Sequence, residues 1–200
     1  MLAFIGLGSN MAGDAQNVTD QLVYAAGEIE RTGAGRIAER SRIFATPPWG
    51  VLEQDDFRNA VIAVDTELAP LDFLHACQAI EHSAHRTREV RWGPRTLDLD
   101  VLALFSLLSD ATYHPITSDG QWGKELMVPH PYAHQRGFVL VPWADLSLAR
   151  AEGVLINGNS VDHWLGELAK SAPEEVAGVQ PVSVEEAAQW EGLGQCPPLG

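Results

Sequence analysis

Apolar positions along the chain switch between two periods. Residues 2–8 form a short apolar run closing on Gly6-Leu7-Gly8-Ser9-Asn10, which predicts a buried strand and a turn. Over 14–31, Val18, Leu22, Ala25 and Ile29 recur at helical spacing, and Gly33-Ala34-Gly35 stops the helix. Residues 36–45 alternate loosely, with Ile37 and Ile43 among charged neighbours, and read as a second strand. Thr46-Pro47-Pro48-Trp49-Gly50 then makes a rigid turn and a loop. A third strand spans 57–65, placing Phe57, Asn59, Val61 and Ala63 on one face. The second helix opens at Pro70, a residue preset for the first helical turn, and buries Leu71, Leu74, Cys77 and Ile80. Residues 97–104 are apolar except for Asp98 and Asp100, so a buried strand carries two carboxylates on one face. The pattern loosens into an extended excursion over 106–125 and returns as a helical and short-strand cap over 139–168. The order strand, helix, strand, strand, helix, strand predicts an α+β ferredoxin-like sandwich.

Composition bounds the class. The chain has 200 residues, 46% of them hydrophobic, which permits a sizeable core. A net charge of −14 argues against nucleic acid or an anionic membrane as a general partner. Cys77 and Cys196 make neither a disulfide framework nor a metal site. No apolar stretch approaches the ~20 residues of a membrane span, and residues 2–7 are too short for a signal peptide, so a cytoplasmic protein is expected. Residues 169–200 are rich in Glu, Ala, Gly and Pro and poor in bulky apolar side chains. They are expected to be an acidic, disordered tail on a domain spanning 1–168.

The polar residues inside the apolar pattern carry the chemistry. Side chains two apart on a strand are separated by roughly 6.6 Å of backbone. Converging from there, two carboxylates can hold two metal ions about 3.5–4 Å apart. A buried carboxylate pair without counter-charge is costly, and divalent metal is the simplest partner. Just upstream, Arg86, Arg88, Arg91 and Arg95 surround the single acid Glu89. Guanidinium suits bidentate contact with phosphate oxygens. An Arg-rich loop beside metal-binding carboxylates is the equipment of phosphoryl transfer from a nucleotide. Phe57 beside Asn59 suits a flat heterocycle, with a ring to stack and an amide to read its edge.

Two motifs carry a family resemblance. The stretch Arg91-Trp92-Gly93-Pro94-Arg95, then Asp98-Leu99-Asp100 and aliphatics, resembles the signature of 6-hydroxymethyl-7,8-dihydropterin pyrophosphokinase. Val128-Pro129-His130-Pro131, followed by Arg136-Gly137-Phe138, resembles that family's second signature, and the opening Gly8-Ser9-Asn10 also matches. The resemblance covers about residues 2–168 and implies a mainly antiparallel sheet with helices on both faces.

It also implies transfer of diphosphate from ATP to the hydroxymethyl group of 6-hydroxymethyl-7,8-dihydropterin, with release of AMP, in folate biosynthesis. Asp98 and Asp100 would bind two Mg²⁺. Arg86 and Arg95 would act with them as catalytic residues. Gln78, Glu81, Arg86, Arg91, Arg95, His130 and Arg136 would form the nucleotide site. Thr46, Pro47, Trp49, Phe57, Asn59, Trp92 and Phe138 would hold the pterin, Phe57 and Phe138 on opposite ring faces. Residues 86–92 would be mobile until both ligands arrive. Glu125 and Met127 depart from the basic and hydroxyl residues that some members place near the nucleotide. Partners would be the two substrates only, and a monomer is expected. Two other classes fit parts of the pattern: a two-metal nucleotidyltransferase on the same kind of sheet, and a non-catalytic pterin- or nucleotide-binding relative.

Overall fold

The computed structural model describes residues 1–48, 54–84 and 96–193. The strands are β1 (Leu2–Ser9), β2 (Arg36–Arg40), β3 (Phe44–Thr46), β4 (Phe57–Asp65), β5 (Asp98–Leu107), β6 (Tyr113–Ile116) and β7 (Gln180–Pro181). The helices are α1 (Val18–Arg31), α2 (Pro70–Ser83), α3 (Gly137–Ala144), α4 (Val161–Ser171), α5 (Pro173–Ala177) and α6 (Ala188–Gly192). The strands join in one sheet of order β6-β5-β1-β4-β3-β7, with β2 also on β4, and every pairing is antiparallel.

Period-two alternation in β1 builds two cores. Ala3, Ile5 and Leu7 pack with α1 and α2, joined by Leu22, Ile29, Phe73 and Cys77. Leu2 and Phe4 face the other way, onto Leu140 and Trp143 of α3 and Val161 of α4. The result is the ferredoxin-like sandwich that the order of elements predicts, with helices on both faces. No helix among the described residues is long and apolar enough to cross a membrane.

Three expectations need correction. Helix α1 begins at Val18 rather than 14, because Asn17 and Asp20 close a capping box. The Asn17 side chain accepts from the Asp20 N–H at 3.0 Å, and Asp20 Oδ2 accepts from the Asn17 N–H at 3.2 Å. The single strand over 36–45 is two strands. Ser41 breaks it by offering its hydroxyl to the Val61 N–H at 2.9 Å where a strand would offer a carbonyl.

The third correction concerns the tail. Residues 173–193 pack onto the domain instead of remaining disordered. Trp190 is buried in the α1/α2 core, and its Nε1–H donates to the Ser41 carbonyl at 2.8 Å. Arg58 pairs with Glu186, and β7 extends the sheet beside β3. Average composition missed this because the docking rests on a few positions: the Trp190 ring, the two-residue β7, and α5 against Gly137.

Candidate active site

The centre of the sheet opens where its middle strand loses its side chains. Gly8 of β1 lies between Asn59 of β4 and Asp98 of β5, and Gly6 lies between Val61 and Asp100. Paired residues share a face, so Asp98 and Asn59 flank the bare backbone of Gly8, with Asp100 one pair further along. The core on this face uses Leu2 and Phe4 and reaches Gly6, where a Cβ would meet Leu102 Cδ2 at 3.4 Å, so the uncovered backbone is that of Gly8. A Cβ on Gly8 would stand 3.0 Å from Asn59 Oδ1 and 4.0 Å from Asp98 Cβ. A side chain at that position would fill the gap between the amide and the carboxylate. From sequence the two glycines read as a turn; the structure makes Gly8 a floor and packs Gly6 under Leu102. The available signal was their two-residue spacing in a strand.

The two residues that follow Gly8 fasten this end of β1 to both neighbouring strands. The Ser9 hydroxyl lies 2.6 Å from the Thr96 carbonyl, tying β1 to the start of β5. Asn10 Nδ2 donates to Gln54 Oε1 at 3.0 Å and to the Asp55 carbonyl at 3.3 Å, tying β1 to the approach to β4. Asn59 is buried, and its Nδ2 donates to Thr46 Oγ1 at 2.7 Å. That bond fixes the amide orientation and leaves Oδ1 on the Gly8 side. Phe57 pairs with Thr46, half-buried, on the same face as Asn59.

The outer edge of β5 explains two other residues. Strand β6 pairs only with Leu104–Leu107, so the Leu99 and Leu102 backbone needs other partners. Buried Glu81 of α2 accepts the Leu99 N–H at 2.8 Å, between the two aspartates. Glu81 thereby holds the carboxylate strand, whereas Gln78, one turn earlier, is exposed. A bulge in the β1–β5 ladder interrupts the register between Val101 and Ala103. The Leu102 carbonyl there accepts the His130 N–H at 2.7 Å. The proline-flanked turn is thus docked beside Asp100.

His130 is held neutral. Burial pushes its pKa below the ordinary 6.5, nearby Arg136 adds to that, and Asp100 opposes both. The Tyr132 N–H donates to His130 Nδ1 at 3.3 Å, so the neutral ring carries its proton on Nε2. The Arg136 guanidinium stands 5.4 Å from the Tyr132 ring and 5.6 Å from the Phe138 ring. Phe138, in the first turn of α3, is half-buried at the edge of the second core. Its wall and the Thr46-Pro47 wall meet at one open cavity of about 130 Å³.

The His130 shift has a consequence for stability. The unfolded chain binds a proton near 6.5, the folded chain only below that, so stability falls as pH drops through 6.5 towards the folded value. In metal-free protein, the urea midpoint of wild type should fall more between pH 7.5 and 5.5 than that of His130→Asn. Parallel losses in the two proteins would show that His130 is not buried in its neutral form.

Trp49, Arg86, Arg91, Trp92 and Arg95, and with them the expected mobile arginine loop, lie outside the described residues. Among the residues described, no group of three or more His, Cys, Asp or Glu is placed to hold a metal. Mg²⁺ does not require one, since it is bound through one or two carboxylates together with substrate phosphates and water. Two half-buried aspartates beside the bare backbone of Gly8 fit that donor set.

Comparison with known proteins gives the family. Residues 4–148 match the family of 7,8-dihydro-6-hydroxymethylpterin-pyrophosphokinase. The 2-amino-4-hydroxy-6-hydroxymethyldihydropteridine pyrophosphokinase of Methylorubrum extorquens is 38% identical over 178 residues, 87% of this chain and 98% of its own. The Pseudomonas aeruginosa protein of the same name is 40% identical over 144 residues, 72% of this chain and 79% of its own. A crystal structure of HPPK-DHPS in complex with substrates superposes with a TM-score of 0.58 at 13% identity, covering 90% of this chain and 46% of that one. Plasmodium falciparum HPPK-DHPS gives 0.57, with 48% of its chain covered. This chain spans about half of each HPPK-DHPS protein, and at such identity the likeness shows the fold. The sandwich, its two signatures and these relatives agree: the chain belongs to the 7,8-dihydro-6-hydroxymethylpterin-pyrophosphokinase family.

Proposed function

We propose that the glycine-floored cleft is where diphosphate passes from ATP to the hydroxymethyl oxygen of 6-hydroxymethyl-7,8-dihydropterin, leaving AMP. The chain is a pyrophosphokinase of folate biosynthesis with ATP as co-substrate. The division of labour within the cleft is our reading. One observation carries it: Asn59, Gly8 and Asp98 stand in a single row across three strands. An amide suited to a heterocycle edge and a carboxylate suited to a cation therefore face each other across open backbone.

In this reading Asn59, its amide fixed by Thr46, reads the pterin edge, and Phe57 and Phe138 take its two faces. Asp98 and Asp100 would hold two Mg²⁺, which when bound would neutralise the charge on the phosphate oxygens. His130 donates from Nε2 to a phosphate oxygen, and Arg136 supplies positive charge beside it. Arg86 and Arg95 grip the triphosphate, with Arg91 assisting and Trp92 closing over the pterin. Trp49 edges the pterin pocket with Thr46 and Pro47. Glu81 acts through the Leu99 N–H as a positioning residue for the aspartates, and Gln78 contributes at the nucleotide rim. The site works by orientation and charge neutralisation without an assigned general base.

Gly8→Val tests the reading. Its branched side chain would occupy the row between Asn59 and Asp98. The pterin KM for AMP formation should rise about ten-fold or more, the equivalent of losing roughly 1.4 kcal/mol of binding. Circular dichroism should report an unchanged fold. An unchanged pterin KM would mean that the substrate does not cross this floor.

A further inference from the structure

We propose that residues 173–182 are a strap that sets the separation of the two pterin walls and thereby the affinity for the pterin. This inference rests on the assignment of Phe138 to one pterin face and of Thr46-Pro47 to the edge of the pocket, which are the two walls meant. The strap lies beyond residues 4–148, where the family match ends.

One continuous piece of chain touches both walls. On the Phe138 side, α5 lies against Gly137 so closely that a Cβ there would come within 2.0 Å of the Glu175 carbonyl oxygen. On the other side, a Cβ on Gly178 would meet Pro47 Cδ at 3.5 Å. Beyond Gly178 the chain becomes β7, pairing Gln180 with Ala45 and Pro181 with Phe44. The Val182 N–H then donates to the Ile43 carbonyl at 3.0 Å.

The cavity follows from this bridging. Thr46, Pro47 and Phe138 line it together with Glu174, Glu175, Gly178 and Val179 of the strap. Strand β3 is three residues long, and without β7 it would be a free edge of the sheet. Thr46, at its end, is the residue that fixes the Asn59 amide. A strap that stiffens β3 while resting on the start of α3 preorganises the pterin half of the site. Loss of preorganisation appears as weaker binding of the ligand whose walls have moved. Among the described residues, β5 and its neighbours β1 and β6 share no strand pairing with the strap, whose β7 pairs with β3.

Two independent lesions test the proposal in the full-length protein. Val179→Asp places a charge in the strap's buried contact, and Val179 belongs to neither main core. Val182→Pro removes the donor to Ile43. Hydrogen exchange over 173–182 should accelerate in both. Calorimetry should then show the pterin Kd, measured with a saturating non-hydrolysable ATP analogue, rising about ten-fold. The Kd of the analogue itself should stay within about two-fold.

Accelerated exchange with an unchanged pterin Kd, or equal weakening of both ligands, would overturn the strap's role. So would undiminished protection in both variants. Phe138→Ala separates the two levels of the argument. If it weakens pterin binding while the strap lesions do not, only the strap proposal fails. If it leaves pterin binding unchanged, the wall assignment fails and the strap proposal with it.

Discussion

Alanine at Asp98 or Asp100 is expected to abolish most turnover while leaving the protein folded. Neither carboxylate belongs to a hydrophobic core, and the buried neighbours Leu97, Leu99 and Val101 keep β5 in place. The Leu99 N–H keeps its partner Glu81 in either variant. The cost falls on catalysis. A bound cation is worth several kcal/mol to a transition state that gathers charge on phosphate oxygens. At about 1.4 kcal/mol per ten-fold, kcat should drop by roughly three orders of magnitude or more. Initial rates of AMP formation, with circular dichroism and a melting curve as controls, would measure it. A variant that folds and turns over at close to the wild-type rate would remove these aspartates from the metal site.

The second large effect is on stability and falls where composition predicts none. Trp190 is 1% exposed in the α1/α2 core, 149 residues from the Ser41 carbonyl that its indole N–H meets. The Arg40 guanidinium lies 5.7 Å from the ring. Truncation to alanine leaves a cavity as well as losing transfer energy, so Trp190→Ala should cost about 3–5 kcal/mol. The Ser41 carbonyl also loses its indole donor, which adds to the loss. Removing the whole segment after Ser171 should cost at least as much, since it also strips β7 from β3 and Glu186 from Arg58. Urea denaturation would decide the matter: a Trp190→Ala loss below about 1 kcal/mol would mean that the ring is not buried as described.

The parts of this fold that sequence reveals are those in which local pattern and burial agree. The alternation of β4 and the helical stripe of α2 follow from side-chain period alone, and both elements begin where they are expected, at Phe57 and Pro70. Asp98 and Asp100 are visible because charge is rare inside an apolar strand. What the pattern hides depends on long-range partners. Ser41 breaks a strand only because the Val61 N–H is there to receive its hydroxyl. Trp190 docks only because α1 and β2 have already built a recess. Gly8 signals a site only once β4 and β5 flank it, since a glycine marks emptiness only relative to its neighbours. Glu81 stands at the expected end of α2, yet its partner is a backbone N–H that no motif encodes. Nothing in the geometry or the relatives favours a nucleotidyltransferase or a non-catalytic relative over the pyrophosphokinase family.

The central claim is that one floor of bare backbone brings the metal-binding carboxylates and the pterin together. Paramagnetic relaxation measures that adjacency directly. Mn²⁺ would replace Mg²⁺ in a complex with the non-hydrolysable ATP analogue and 6-hydroxymethyl-7,8-dihydropterin. The hydroxymethyl protons of the bound pterin should then be strongly broadened in the wild-type protein. The broadening should disappear in Asp98→Ala and Asp100→Ala at pterin concentrations that still saturate the site. Sharp pterin resonances in the wild-type ternary complex, with both ligands bound, would contradict the account.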